Sequence, residues 1–377
     1  MKEENELNKL NIYSIKSVNP KQKKSLKKIY LVFFICFINI IFITKYCNKI
    51  KILILGKPFD NSKVSFTKRK NLNIFNKQNI DSIFDDKTNN DYLKNQKDFC
   101  VNQNIINYLN ENIQIVKADY YNIKFNMLVY RGKDILSNFI LRNKCWDPEG
   151  TKNIIDALDF YHKKTKSNKN DIYMLDLGAN VGWYSLFFGK LGYNIIAFEP
   201  SIKNYQIFKM NYCLNQDANI TIINKGLNIE NKNCTLFHPL NNIGNAILMC
   251  EEKQFVNKNN FGEKIKLTKL SNYIPYLMNK NLAMIKIDVE GSEGKAIESG
   301  IDLFKKYHVP FIHLEFSPFM LRNKNTDPQL FLEIFEQNGY KFSKVDFLSK
   351  NYTSIDELLK TKSRQINIFL VYTKFLE

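Results

Sequence analysis

Arginine is scarce in this sequence of 377 residues, although lysine is so abundant that the formal net charge is +18. Arginine makes the bidentate contacts with phosphate and guanine on which much nucleic-acid recognition depends, so the charge is weak evidence for RNA or DNA binding. Lysine and asparagine also recur in tracts such as 163–170 and 257–260, which is typical of genes biased towards AT-rich codons. We therefore expect no nucleic-acid partner.

Metal-binding patterns are also absent from the sequence. The seven cysteines contain no Cys-x-x-Cys pair and the four histidines are scattered, so the sequence predicts no zinc site. All cysteines except Cys36 follow a long apolar segment and would lie on one side of a membrane if that segment spans it. Disulfide bonds are possible if that side is lumenal, although one sequence does not fix their pairing.

That apolar segment comprises residues 29–44 and follows a polar, basic tail, residues 1–28, which we expect to be disordered. The segment is apolar on every face, which favours lipid as its surroundings. It is short beside the roughly 20 residues that span a bilayer core, and a buried soluble helix or a cleaved signal peptide is the alternative. More lysines precede it than follow it, so the sequence predicts a single-pass type II membrane anchor whose C-terminal side faces the lumen of the endoplasmic reticulum or Golgi.

The rest of the chain divides into a linker and one domain. Residues 45–100 are polar and weakly periodic, which is typical of a stem, whereas residues 101–377 are patterned throughout. Near the start of the domain, alternation of apolar residues over 120–130 predicts a strand. Helices are predicted at 134–141 and at about 152–163.

The core of the domain is expected over residues 171–377. Apolar strands there alternate with helices, which is typical of a Rossmann-like, mostly parallel α/β sheet with helices on both faces. The predicted strands are 172–177, 194–198, 220–224, 283–288, 309–316, 341–346 and 366–373, and the predicted helices are 181–191, 202–214, 293–306 and 328–338. The last strand has no helix before it, and a strand that arrives in this way is often antiparallel.

The sharpest motif is Asp176-Leu-Gly-Ala-Asn-Val-Gly182, which directly follows an apolar strand and opens a helix. Gly178 permits a positive φ and a close approach of ligand to backbone, and Gly182 permits close packing where the helix begins. The free N–H groups at the helix end can donate to a polar ligand. A nicotinamide-binding loop would have glycine in place of Asn180, so a smaller ligand without pyrophosphate, such as S-adenosylmethionine, fits better. Asp176 can face the ammonium group of that ligand.

The second predicted strand ends in Glu199-Pro200. A carboxylate about 20 residues after the glycine loop binds ribose hydroxyls in nucleoside-binding folds of this type. The two motifs together predict a cofactor site. Its candidate residues are Asp176, Gly178, Ala179, Asn180, Gly182, Glu199 and Pro200.

The fourth predicted strand carries Lys286, Asp288 and Glu290, which alternation places on one side. Ligands bind at the carboxyl ends of strands in open α/β sheets, so these three are the candidate catalytic residues. A carboxylate can assist removal of a proton from a hydroxyl acceptor, and Lys286 can hold that carboxylate or stabilise an oxyanion. A structural Lys–Asp ion pair is the alternative. Two carboxylates without a clear third ligand predict no metal site.

These motifs together resemble the FkbM-type methyltransferase family. The resemblance runs from residue 134 to the end of the chain and rests on Trp146-Asp-Pro-Glu149, Asp176-Leu-Gly-Ala-Asn-Val-Gly-Trp-Tyr184, Ala197-Phe-Glu-Pro200, Asn211, Lys286-Ile-Asp-Val-Glu-Gly-Ser-Glu293 and His313-Leu-Glu-Phe316. Ser292 stands where the family usually has alanine. The resemblance implies a Rossmann-like fold of seven strands, S-adenosylmethionine as methyl donor and, often, O-methylation of sugar or natural-product hydroxyls. It implies nothing about the first hundred residues.

Several functions compete at this point. The first is a membrane-anchored, S-adenosylmethionine-dependent O-methyltransferase that acts on a glycan or a small hydroxylated acceptor. The second is an RNA or protein methyltransferase, although no Asn/Asp-Pro-Pro-Tyr/Phe motif for amino-group methylation of bases follows the fourth strand. A non-catalytic binding protein would have substitutions in the glycine loop or in the motif of the fourth strand, and both motifs are intact. A nicotinamide dehydrogenase is disfavoured by Asn180. Weaker candidates for contact with the acceptor are the loop 242–245 and Glu315.

Overall fold

The computed structural model describes residues 98–100, 112–132, 134–239, 246–250, 260–277, 280–361 and 363–377. The predicted tail, the membrane anchor at 29–44 and nearly all of the stem lie outside the described residues. Within the ranges just given, no helix is long and apolar enough to cross a bilayer. The anchor and the domain boundaries therefore stay predictions.

The described domain begins with a β-hairpin and not with the single strand expected over 120–130. Strand β1 spans Ile113–Tyr120, strand β2 spans Ile123–Tyr130, and the two pair antiparallel along their whole length. Tyr121 and Asn122 connect them with positive φ angles of 51° and 62°. Two such residues form a hairpin turn whose twist matches that of the strands. The apolar alternation continues through the turn, which is why the sequence pattern concealed it.

Two helices follow the hairpin. Helix α1, Ile135–Asn143, is capped by the side chain of Asp134. Helix α2, Pro148–Thr165, is capped by the side chain of Asp147 and has proline at its first position. This helix begins before the expected start near residue 152, because an aspartate cap followed by proline is itself a helix start.

The remaining elements alternate between strand and helix over most of their length. The strands are β3 Ile172–Leu177, β4 Asn194–Phe198, β5 Ile220–Ile223, β6 Gly226–Leu227, β7 Lys232–Pro239, β8 Ile247–Met249, β9 Asn260–Thr268, β10 Asn281–Ile287, β11 Phe311–Phe316, β12 Tyr340–Ser343 and β13 Ile366–Tyr372. The helices are α3 Trp183–Lys190, α4 Ile202–Cys213, α5 Ile274–Leu277, α6 Glu293–Ser299, α7 Asp302–Lys305, α8 Pro318–Asn323, α9 Pro328–Gln337, α10 Ile355–Leu359 and α11 Thr373–Leu376.

The main sheet has seven strands in the order β12-β13-β11-β10-β3-β4-β5. Strands β11, β10, β3, β4 and β5 pair parallel, whereas β13 pairs antiparallel with both of its neighbours. The predicted α/β fold with seven strands is confirmed, and so is the antiparallel last strand. The expectation that no helix precedes this strand was wrong, since the short helix α10 lies between β12 and β13, and β13 returns antiparallel beside β12.

Both faces of this sheet are covered. On one face, Met174 and Met284 pack in a core that includes the hairpin and helices α2, α3 and α4. On the other face, Leu175 and Ile285 pack in a core that includes α6, α7 and α9. Burial on both faces explains why the parallel strands are apolar runs and not alternating ones.

The helix expected over 293–306 is interrupted. Helix α6 ends before Gly300 and α7 begins after it. A side chain at Gly300 would meet Leu270, since a Cβ there would lie 2.6 Å from the Leu270 side chain. Glycine also destabilises a helix interior, so the break at Gly300 could have been predicted from the sequence.

A second sheet, with four strands in the order β6-β9-β7-β8, follows β5 in the chain and was not predicted. Among the described residues, its own core consists of Cys234, Leu236, Ile265 and Leu267. Strands β6 and β8 have only two and three residues, and the longer strands β7 and β9 carry lysine and asparagine among their apolar residues. A sheet with so small a core leaves a weak apolar pattern in the sequence.

Two disulfide bonds join described cysteines. Cys100 pairs with Cys213 at the end of α4, and Cys234 on β7 pairs with Cys250, which follows β8. Cys145 is buried and free. The pairing that the sequence left open is thus set by packing: the first bond joins segments 113 residues apart, and the second joins β7 to the end of its neighbouring strand β8.

Candidate active site

A cavity of about 300 Å³ lies at the carboxyl ends of strands β3, β4, β10 and β11. Ligands of open α/β sheets bind at this edge, and the volume is that of a small-molecule site. We call one side the polar wall, formed by Gly178, Ala179, Asn180, Glu199, Pro200, Lys286, Asp288, Glu290, Glu315, Arg364 and Gln365. We call another side the apolar wall, formed by Leu227, Leu236, Ala246, Leu248, Ile265 and Leu267.

The two glycines of the loop after β3 are required by the packing of other residues against them. Gly178 has a φ of +84°, and a Cβ there would lie 1.7 Å from the carbonyl oxygen of Asp288. Gly182 has a φ of +93°, and a Cβ there would lie 2.2 Å from the ring of Phe208. Gly182 therefore permits close helix packing, as predicted. Gly178 makes room for the loop after β10, where the sequence suggested room for a ligand.

Glu199 is a buried carboxylate that organises the cofactor side of the polar wall. Its Oε2 accepts a hydrogen bond from the Asn180 N–H at 2.7 Å, and its Oε1 accepts one from the Ser201 N–H at 2.9 Å. Burial raises the pKa of Glu199 to about 7. Asn180 has a positive φ of 52°, and its Oδ1 is buried with no hydrogen-bond partner in the described part of the chain. This oxygen can accept a hydrogen bond from a ligand.

Lys286 connects the two loops that cross at Gly178. Its Nζ donates to the Gly178 carbonyl oxygen at 2.8 Å and lies 3.4 Å from Asp288 Oδ2 and 3.6 Å from Asp176 Oδ1. Burial lowers the pKa of Lys286, but Asp288 and Asp176 raise it more, so the net pKa is above its ordinary value. Lys286 is therefore a fixed ammonium group. The ion pair that the sequence left as an alternative is present, and it lies in the cavity wall.

Asp176 does not lie where the sequence placed it. The side chain is fully buried, its Oδ2 accepts a hydrogen bond from Ser185 Oγ at 2.6 Å, and it is not part of the cavity wall. The sheet register pairs Asp176 with Lys286, which turns the carboxylate towards the lysine and helix α3. In this position Asp176 supports Lys286, and its expected contact with the ammonium group of a cofactor stays a prediction.

Asp288 and Glu290 line the cavity, but strand alternation is not the reason. Strand β10 ends at Ile287, and the backbone then turns through Glu290, which has a φ of +54°. Buried Glu293 stabilises this turn, because its Oε1 accepts hydrogen bonds from the backbone N–H groups of Val289 and Gly291. Burial and the neighbouring Asp288 raise the pKa of Glu290 to about 8.

A third carboxyl group, Glu315, lies with them at the end of β11. Burial, Asp288 and Glu290 raise its pKa to about 10, and Gln365 donates a hydrogen bond to its Oε1 at 2.8 Å. Glu315 was a weak candidate from its place at a strand end. Arg364 and Gln365 were missed, because they precede the antiparallel strand β13 and carry no motif. Within the described ranges, no group of three or more His, Cys, Asp and Glu side chains is arranged to hold a metal ion.

The cavity thus brings together most of the predicted site residues. Those in its wall are Gly178, Ala179, Asn180, Glu199, Pro200, Lys286, Asp288 and Glu290, whereas Asp176 and Gly182 lie outside it. The loop 242–245 lies outside the described residues. The sequence did not predict that Asp134, Trp146 and Tyr184 also line the cavity. Trp146 and Tyr184 could have been proposed from the sequence, because they belong to the motifs shared with the FkbM family.

Comparison with known families identifies the region that contains most of this site. Residues 176–342 match the family model described as the methyltransferase FkbM domain. The resemblance found in the sequence to the FkbM-type methyltransferase family is therefore confirmed over residues 176–342. The match covers the glycine loop, Glu199 and the loop after β10. A search of curated proteins found no match.

Solved methyltransferase structures are also similar to part of the chain. Precorrin-6y C5,15-methyltransferase from Geobacter metallireducens is 14% identical with a TM-score of 0.30, covering 58% of this chain and 87% of that one. The bifunctional kinase-methyltransferase WbdD is 13% identical with a TM-score of 0.35, covering 59% of this chain and 38% of that one. Scores this low carry no argument about function.

Proposed function

We propose that this protein is an S-adenosylmethionine-dependent methyltransferase that methylates a hydroxyl group of a glycan or small-molecule acceptor. The observation that carries the proposal is that the cavity joins a buried carboxylate after β4, Glu199, with the acidic side chains Asp288 and Glu290 after β10. The first suits the ribose of a nucleoside cofactor. The other two suit the removal of a proton from an acceptor.

The residues of the polar wall fit S-adenosylmethionine. Oε2 of Glu199 accepts one backbone hydrogen bond and keeps a lone pair for a ribose hydroxyl, while Oε1 accepts from the Ser201 N–H and, at 3.5 Å, from Asn204 Nδ2. The unpartnered Asn180 Oδ1 can accept a hydrogen bond from the ammonium group. The apolar wall suits a flat ring such as adenine. Asn180 in place of a second glycine leaves no loop shaped for a pyrophosphate.

When bound, this donor supplies a methyl group on a positively charged sulfur. The protein then has to align the acceptor and take its proton. In our proposal Asp288 or Glu290 would take the proton of the acceptor hydroxyl as its oxygen bonds to the methyl carbon, while the bond between that carbon and sulfur breaks and S-adenosylhomocysteine leaves as a neutral thioether. Lys286 holds Asp288 and the glycine loop at fixed positions, since its Nζ contacts both.

The charge of the cavity supports an uncharged acceptor. Asp288, Glu290 and Glu315 bring three carboxyl groups to one side, with Lys286 and Arg364 beside them. Lys286 is already engaged by Asp288, Asp176 and a backbone carbonyl. Near neutral pH Glu290 and Glu315 are uncharged, because their pKa values are raised to about 8 and about 10. A sugar or other alcohol can hydrogen-bond to such carboxyl groups, whereas a phosphate-rich acceptor such as RNA calls for a concentration of free cationic side chains.

We also propose that the catalytic domain faces the lumen of the endoplasmic reticulum or Golgi, behind a type II anchor at residues 29–44. Two disulfide bonds support this location, since disulfides persist in oxidising compartments. Reporters fused to both ends should place the N terminus in the cytosol and the C terminus in the lumen. The reverse arrangement, or release of the full chain by carbonate, would contradict the proposal.

The donor is tested by calorimetry on the full-length protein. S-adenosylhomocysteine should bind and NAD should not, and Glu199→Ala should weaken binding by about 1.5–3 kcal/mol, as for loss of hydrogen bonds to a charged group. The acceptor is tested by transfer of a labelled methyl group to fractionated cell glycans, lipids, RNA and proteins. Label in the RNA or protein fraction alone would overturn the proposed acceptor, and binding of NAD alone would overturn the donor.

A further inference from the structure

The residue of interest is Asp147, which precedes the region matched by the family model and lies outside the cavity wall. Its Oδ2 accepts a hydrogen bond from the Tyr184 hydroxyl at 2.6 Å and one from Asn367 Nδ2 at 3.2 Å. Its Oδ1 accepts one from the Gly150 N–H at 3.1 Å. The carboxylate therefore ties the start of α2 to helix α3 and to strand β13.

The backbone around Asp147 is shaped for this carboxylate. Asp147 has a positive φ of 38°, and non-glycine residues in such conformations persist where their surroundings fix them. A Cβ on Gly150 would lie 2.1 Å from Asp147 Oδ2, so only glycine leaves room for the carboxylate in this position. The carboxylate thus has one position, and that position receives the Tyr184 hydroxyl.

Tyr184 carries the effect of Asp147 into the cavity. The side chain is buried and lines the cavity, and its ring centre lies 5.5 Å from Lys286 Nζ. That distance is within the range of a cation–π interaction. Lys286 in turn holds the Gly178 carbonyl and Asp288. The order of contacts is Asp147 to the Tyr184 hydroxyl, the Tyr184 ring to Lys286, and Lys286 to Asp288.

We propose that Asp147 is a positioning residue of the active site, which fixes the ring of Tyr184 against Lys286 and thereby sets the position of Asp288 relative to the glycine loop. This proposal rests on the methyltransferase function proposed above. It brings a segment that precedes the main sheet into the catalytic machinery, although Asp147 itself does not touch the cavity.

The test is a double-mutant cycle in the full-length protein with Asp147→Asn, Tyr184→Phe and the two together. Asparagine caps a helix as well as aspartate does, so Asp147→Asn keeps the cap of α2 and loses the charged acceptor of the tyrosine. Each single change should lower kcat about ten- to a hundredfold and leave the KM of the methyl donor unchanged. The double variant should be no slower than the slower single variant, because both remove the same contact.

Asp327→Asn is the matched control. Asp327 caps α9 in the same manner, through the N–H groups of Gln329 and Leu330, and does not line the cavity. It should leave kcat unchanged, with a melting temperature close to that of Asp147→Asn. The proposal would be overturned if the kcat losses of the two single variants multiplied in the double variant, or if either single variant kept a kcat within about threefold of the parent. It would also be overturned if Asp147→Asn melted far below the Asp327→Asn control.

A second measurement does not depend on turnover. Burial and Asp147 raise the pKa of Tyr184 well above its ordinary value. The phenol is therefore protonated at neutral pH and donates to Asp147. With ¹³Cζ-tyrosine labelling at neutral pH, the Tyr184 resonance, assigned by its loss in Tyr184→Phe, should move in Asp147→Asn, because Cζ carries the hydroxyl that loses its charged acceptor, and should stay in place in Asp327→Asn. An unmoved resonance in Asp147→Asn would overturn the positioning role. If the parent transfers no methyl group while the resonance moves as expected, the proposed function fails and the contact stands.

Discussion

The polar wall and the apolar wall of the cavity are built in different ways. The polar wall stands on the main sheet, and its groups are fixed by contacts within the protein, such as Lys286 with the Gly178 carbonyl and Glu199 with the Asn180 N–H. The apolar wall stands on a four-stranded sheet with a small core that includes the disulfide-bonded Cys234. Polar groups held at fixed positions can take part in catalysis, whereas an apolar surface on a small sheet contributes to binding of the ligand. We therefore expect changes at Asp288 and Glu290 of the polar wall to alter rates, and changes in the apolar wall to alter affinity for the donor.

The largest expected effect is on the rate of methyl transfer. Asp288→Asn and Glu290→Gln should lower kcat by about 10²–10⁴-fold, the usual value of general-base assistance, while folding and donor binding are nearly unchanged. Leu236→Ala in the apolar wall is the contrasting variant and should raise the KM of the donor with little change in kcat. Rates, calorimetric titrations and thermal melts of all three variants test this. A kcat loss in Leu236→Ala as large as in the carboxylate variants would remove the distinction between the walls.

The polar wall should also make stability and kcat/KM depend on pH, through Glu290. Burial and Asp288 raise the pKa of Glu290 from its ordinary 4.5 to about 8. The folded protein therefore binds this proton more tightly than the unfolded chain, and stability should fall as pH rises through that interval. A base must be ionised, so kcat/KM should rise with pH until about 8. Glu290→Gln should flatten the dependence on pH of both the stability and kcat/KM. Urea unfolding at about pH 5 and about pH 9 measures the change in stability. An unchanged slope would show that Glu290 does not titrate in this interval.

The two disulfide bonds offer the next effect in size. Removing Cys100–Cys213, whose cysteines are 113 residues apart, should cost about 4–5 kcal/mol of stability by loss of a chain constraint and leave donor binding unchanged. Removing Cys234–Cys250, with a separation of 16 residues, should cost about 3 kcal/mol. This second change should also weaken donor binding, by about tenfold, because the preorganised apolar wall is loosened. Paired alanine variants, urea unfolding and calorimetry test both. Equal effects on binding would contradict a special role for the small sheet.

The smallest of these effects concerns Gly178. Gly178→Ala should cost about 3 kcal/mol, from the strain of a positive φ together with the collision of Cβ with the Asp288 carbonyl. Gly132→Ala is the matched control, since Gly132 has a φ of +97° and a Cβ there would have no neighbour within 4 Å. It should cost about 1 kcal/mol, the strain alone. Denaturant unfolding gives both values, and equal costs would mean that the two loops separate easily.

The main sheet followed closely from the sequence, and the small sheet did not. Strands β3 and β4 have the predicted bounds, Ile172–Leu177 and Asn194–Phe198, because strands buried on both faces are apolar throughout. Strand β9 alternates exposed lysines with buried apolar residues over 264–267, because only one of its faces packs in the small core. A pattern read over a few residues detects the first kind of strand and misses the second.

The sequence by itself determined the α/β class, the seven strands of the main sheet and the motifs at its edge, since apolar runs and glycine turns act over a few residues. Only the tertiary structure decided that Asp176 is buried beneath Lys286, that Gly178 makes room for Asp288, and that Arg364 and Gln365 join the site. It also decided which cysteines pair. The physical reason is that sheet register and the crossing of two loops bring together residues that are far apart in the chain, and no local pattern records those distances.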